Sequence, residues 1–108
     1  MYTCNITFVA SPDKEPELLA FLRQELIPRI FNDKAPALSP ELRKVVEVGG
    51  EKPDAEHGVS IALAATFPNE DEYRFWNEDV LLPALQDFHK KFGNNALYFI
   101  TLLENLPL

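Results

Sequence analysis

Four glycines and a single cysteine set the first limits on what this 108-residue sequence can be. With so little glycine, a loop that cradles phosphate has almost no material. No glycine-rich nucleotide motif occurs, and C-x-x-C, H-E-x-x-H and G-x-S-x-G are absent too. One cysteine cannot close an intrachain disulfide, so the fold does not depend on an oxidising compartment. Positive charge is also scarce. Ten Lys and Arg stand against seventeen Asp and Glu, a formal charge of −7. Affinity for a phosphate backbone comes mostly from Lys and Arg, so nucleic acid is not the expected partner. An anionic membrane surface is disfavoured on the same ground. No apolar run approaches the length of a membrane span. The opening M-Y-T-C-N-I-T has neither the charged start nor the apolar run of a signal peptide. A soluble cytoplasmic protein is the expectation.

What the sequence does have is apolar residues, at 46% enough for one modest core and hence a single domain over residues 1–108. The stretch from Pro68 to Glu104 organises the rest. It reads as a long helix, a stop and a strand apolar on both faces. Asn69 caps the first turn, Lys90 and Lys91 favour the negative helix end, and Gly93 takes the left-handed position beyond it. Tyr73, Trp76, Val80, Ala84, Phe88 and Phe92 mark the buried stripe, with Phe75, Leu82 and Leu85 beside it.

Earlier in the chain, Tyr2 to Ala10 alternates as a strand. Tyr2, Cys4, Ile6 and Phe8 make one face; Thr3, Asn5, Thr7 and Val9 make the other. A helix then begins near Ser11 or Asp13 and runs to about Phe31, with Leu18, Leu22, Leu26 and Ile30 every four residues. Pro28 and Pro83 lie inside the two helices, and each predicts a kink. Asn32 to Pro40 reads as a connection and Leu42 to Val48 as a charged edge strand. Gly49 to Gly58 is a long loop by composition, and Val59 to Phe67 is another alternating strand. Ala96 begins the last one.

Strand, helix, strand, strand, helix, strand, joined by right-handed crossovers, gives an α+β, ferredoxin-like plan. Its four-stranded antiparallel sheet carries both helices on one face, with the first and third strands central. The helices cover the bulky face. The other presents Thr3, Asn5, Thr7, Ser60, Ala62, Ala64, Thr66, Leu97, Phe99, Thr101 and Leu103. A face meeting only water does not usually gather Leu97, Phe99 and Leu103. Packing against the same face of a second copy would cover it, so a homodimer is expected, with Thr3, Asn5, Thr7, Ser60, Ala62, Ala64, Leu97, Phe99 and Thr101 in the contact. Small side chains near the middle either let the sheets approach closely or leave a pocket.

The segments Y-T-C-N-I-T-F-V, L-I-P and H-K-K-F-G-N-N-A-L-Y-F-I-T-L-L-E resemble the bacterial family known as domain of unknown function 4286. That resemblance implies a dimeric ferredoxin-like α/β barrel and carries over no catalytic residues. The loop around Glu51 to Glu56 looks like an insertion relative to a shorter hairpin. More distantly, the plan is similar to the antibiotic-biosynthesis monooxygenase group, whose small dimeric barrels can enclose a hydrophobic substrate.

Candidate chemistry is sparse. His57, near Glu51, Asp54 and Glu56, has metal-binding residue types around it, but a solvated loop is the better reading and no metal or cofactor is expected. His89 on the second helix reads as a packed or surface histidine before a general base. Cys4 alternates into the core as a small hydrophobe, with no basic neighbour to activate it. Trp76 and Tyr73 sit at core spacing. Asn5, between Thr3 and Thr7, has an amide able to orient a ligand or pair across a dimer axis, and the structural role is favoured. Asn5, Trp76 and His89 are the ligand-binding candidates. Two functions follow: a small dimeric barrel that binds a hydrophobic molecule or simply assembles, or a cofactor-independent monooxygenase-like or isomerase-like enzyme.

Overall fold

A computed structural model of the chain describes residues 1–52 and 58–108. Strand β1 (Tyr2–Ala10) leads into a first helix over residues 15–30. Then come β2 (Leu38–Lys44), β3 (Val59–Phe67), a second helix over residues 70–92 and β4 (Ala96–Glu104). The strands lie in the order β2-β3-β1-β4, all antiparallel, so β1 and β3 are central. This is the ferredoxin-like arrangement expected from the element order.

One face of the sheet is sealed. Cys4, Ile6, Phe8, Ile61, Leu63, Ala65 and Phe67 alternate inward from the central strands and are almost fully buried. The first helix lays Leu18, Phe21, Leu22, Leu26 and Ile30 against them. From the second helix, Phe88 meets Phe8 and Tyr98 with ring centroids 5.2 and 5.8 Å apart. Each such aromatic contact adds about 0.5–1.5 kcal/mol to the burial of its rings. Among the described residues, no polar or charged residue is buried in this core.

The two helices are built alike, and the prolines explain how. Each begins with a seven-residue α segment (Glu15–Phe21; Glu70–Trp76), continues through a five-residue π turn (Leu22–Leu26; Asn77–Leu81) and reaches proline two residues later. Pro28 and Pro83 have no N–H to give, and each ring crowds the carbonyl four residues back. In response the preceding residue bonds five residues back, Ile27 N–H to the Leu22 carbonyl and Leu82 N–H to the Asn77 carbonyl. The expected kinks therefore take the form of π turns, which widen the helix ahead of the ring. The extra residue also turns the second helix's inner face. Leu81, five after Trp76, is buried, while Val80 is only half-buried. Phe75 is exposed at 65% and Leu82 at 40%, outside the flank expected of them.

Helix ends follow local chemistry. The Asn69 side chain accepts from the Glu72 N–H at 2.9 Å. Gly93 closes the second helix at φ +53, a value that disfavours other residues. Gly58 enters β3 so close to β1 that an added Cβ would lie 2.6 Å from the Ala10 carbonyl oxygen.

The second strand departs from expectation. It covers Leu38–Lys44, not Leu42 to Val48, and so takes in Ser39 and Pro40. The register slips between Leu38 and Glu41, with Ser39 at φ +51. A bulge on an edge strand tolerates both the proline and the slip. Beyond Lys44, Val45 still donates its N–H to the Ser60 carbonyl at 3.0 Å, and ladder pairing then ends.

Candidate functional site: the open face of the sheet

The face away from the helices is a lattice fixed by strand register. Leu38, Thr66, Thr3 and Leu103 form one row across the sheet. Glu41, Ala64, Asn5 and Thr101 form the next, and Arg43, Ala62, Thr7 and Phe99 the third. Ser60, Val9 and Leu97 complete the fourth, with Val45 bonded beside Ser60. All nine residues expected in a dimer contact lie on this face.

Its composition changes from edge to edge. On β4, Leu97, Phe99 and Leu103 are about half exposed, at 50%, 55% and 49%. The centre holds the small side chains of β1 and β3. There the Asn5 Nδ2 donates to Thr7 Oγ1 at 3.1 Å, which spends one of the amide's two donor hydrogens. On the β2 edge, Glu41 and Arg43 form an ion pair along the strand and remain largely solvent-exposed.

The three ligand-binding candidates do not converge. Asn5 belongs to the open face. Trp76 is buried on the helix side, where its indole N–H donates to the Ile30 carbonyl at 2.8 Å and its ring stacks on Phe31. That bond satisfies a carbonyl at the end of the first helix, where partners run out. His89 is exposed on the second helix and lines a cleft of about 300 Å³ with Phe88, Gly93, Asn94, Ala96, Leu97 and Tyr98. A second cleft of similar volume lies between the helices, where Arg29 meets Asp87 and Lys91 meets Glu25.

Cys4 is buried, and burial pushes its thiol up to about 11 despite a hydrogen bond with Tyr73. It is held as a neutral thiol. Tyr73 is likewise raised, to about 12, first by burial and then by Cys4. Asn77 is a further polar residue turned inward. It opens the second π turn, where Leu22 opens the first, and its Oδ1 is buried without a partner. A polar residue at a helix-interior position was the available signal. His57 and its neighbours Asp54 and Glu56 lie outside the described residues. Among those described, no three His, Cys, Asp or Glu side chains are grouped to hold a metal ion. No described helix is long and apolar enough to cross a membrane.

Comparison with known proteins places this geometry in a class and then in a family. A member of the ethyl tert-butyl ether d (EthD) family from Bacillus halodurans is similar at a TM-score of 0.72. It is 10% identical, over 98% of this chain and all of that one. An antibiotic biosynthesis monooxygenase is similar at 0.65, with 11% identity over 99% of this chain and all of that one. A dimeric ferredoxin-like protein from an uncultured marine organism is similar at 0.62, with 12% identity over 99% and 97% of the two chains. At such identities the likeness establishes the ferredoxin-like fold alone. No curated protein matches the sequence. The chain belongs to the family described as Domain of unknown function (DUF4286), which it matches over residues 1–106.

Proposed function

We propose that this protein is a homodimeric α/β barrel that pairs its open sheet faces and holds a small, largely apolar molecule between them. One observation carries this reading: Leu97, Phe99 and Leu103 stand half exposed on a face whose centre is built of small side chains. Removing them from water favours association at roughly 25 cal/mol per Å², and small central residues leave room where bulky ones would fill it. A structural neighbour described as a dimeric ferredoxin-like protein supports the pairing. The packed helix-side core supports a ligand place on the other side of the sheet. The cytoplasm, where a thiol such as Cys4 stays reduced, is the compartment we propose.

Native mass spectrometry of freshly purified protein tests both parts. The expected species is two chains plus an adduct that is lost on denaturation. Two bare chains in independent preparations would remove the ligand, and a single chain would remove the dimer.

A second reading, a cofactor-independent monooxygenase-like or isomerase-like enzyme, is favoured by the cleft at His89. His89 lines it together with the polar Asn94 and Tyr98 and the apolar Phe88 and Ala96. Turnover of a small apolar substrate that is lost in His89→Ala would support it; no turnover in the wild-type protein would remove it, and turnover surviving the substitution would take the cleft out of it.

A further inference from the structure

We propose that the two copies meet about a two-fold axis running across the strands, between the Asn5 row and the Thr7 row, so that each Glu41 faces the partner's Arg43. This rests on the dimer proposed above and adds its register. Four strands about 4.8 Å apart and nine residues of about 3.4 Å each make a face near 19 by 30 Å. With side-chain relief, that approaches the roughly 800 Å² per partner of a standard interface.

If the sheets pack aligned rather than orthogonal, the two-fold axis between them runs nearly across the strands or nearly along them. Across the strands, β4 covers the partner's β4 and the rows exchange. Leu103 then meets the partner's Leu97, Asn5 meets the partner's Thr7, and Glu41 meets the partner's Arg43. Along the strands, β4 covers the partner's β2 and the rows are kept. Phe99 then lies over the partner's Arg43, and Thr101 over the partner's Glu41.

The charges decide between the two. Glu41 and Arg43 already pair within one strand, yet their side chains keep 50% and 64% of their exposure. Closing the interface takes water from both, and charges losing water need opposite charges beside them. The axis across the strands gives each a second partner and makes an alternating four-charge cluster at the β2 edge. The other axis offers Glu41 only a hydroxyl. Aligned sheets cross at about 30°, an offset these long side chains can take up. The apolar β4 edges meet each other in the same arrangement, so one register satisfies both edges.

Mixing two variants tests it. In R43E the new carboxylate meets the partner's Glu41, and in E41R the new guanidinium meets the partner's Arg43. Each alone should self-associate roughly tenfold or more weakly than wild type, because like charges face each other twice. An equimolar mixture should form a heterodimer of near wild-type affinity, seen by native mass spectrometry. Mixing cannot restore the ion pair within each strand, so recovery reports only the contact between copies. Circular dichroism of each variant confirms that the edge strand still folds. Either variant dimerising like wild type, or a mixture no tighter than its components, overturns the register while the dimer stands. A monomeric wild-type protein overturns the underlying reading as well.

Discussion

The two faces of one sheet are built from opposite materials, and only one of them is closed by the chain itself. Toward the helices, β1 and β3 present Cys4, Ile6, Phe8, Ile61, Leu63, Ala65 and Phe67, all closed from water within this one chain. Away from them the same strands present Thr3, Asn5, Thr7, Ser60, Ala62, Ala64 and Thr66, all half-buried. Beside these stand the half-exposed apolar residues of β4. The first face carries the stability of the single chain. The second, left open by the single chain, is the one we propose meets a neighbour.

Substitutions should separate the two faces. Phe8→Ala opens a cavity beneath Phe88 and Tyr98 and should cost about 3–5 kcal/mol of unfolding free energy, read by urea denaturation. Ala64→Arg places a long charged chain in the middle of the open face. It should leave monomer stability within ~0.5 kcal/mol, as surface changes do, while light scattering finds the dimer lost. If both variants lowered stability alike, the faces would not differ as described. Trp76→Phe keeps an aromatic side chain but gives up part of the buried indole and, with its N–H, the hydrogen bond to the Ile30 carbonyl. The unsatisfied carbonyl should cost about 1–3 kcal/mol, with the lost ring volume adding to it and no effect on association, measured by the same two methods.

The smallest effect concerns Cys4. Its thiol rises from 9.0 to about 11 on folding. Below pH 9 the thiol is protonated in both folded and unfolded chains, and its contribution is fully present. As pH climbs from 9 toward 11 the unfolded chain ionises first, so stability falls across that window. Replacing Cys4 by Ala should flatten this part of the stability–pH curve. At pH 8 the native thiol should resist alkylation that proceeds readily in urea.

How much of this was legible in the sequence depended on which force set each element. Strands β1 and β3 could be read to the residue, because a face buried by the chain itself imposes strict alternation. The Asn69 cap and the Gly93 stop were equally clear, being local chemistry. The second strand lies ahead of its expected place because β-branched Val45, Val46 and Val48 attract a strand reading that the fold does not use. A bulge at Ser39 instead lets Pro40 into the ladder, and that is a tertiary solution without a periodic signal. Leu81 escaped the expected stripe for a related reason: the π turn before Pro83 adds a residue that a 3.6-residue count omits. On the open face, the residues of β1, β3 and β4 followed from alternation. Glu41 and Arg43 could join them only once the β2 register was known. Asn5, Trp76 and His89 were each placed on the right element, but sequence spacing cannot say that they look in three directions.

Molar mass in solution reads whether a second copy covers the open face. Multi-angle light scattering across the micromolar range should give twice the 12.3 kDa of one chain. A constant 12.3 kDa over that range would mean that no second copy covers it.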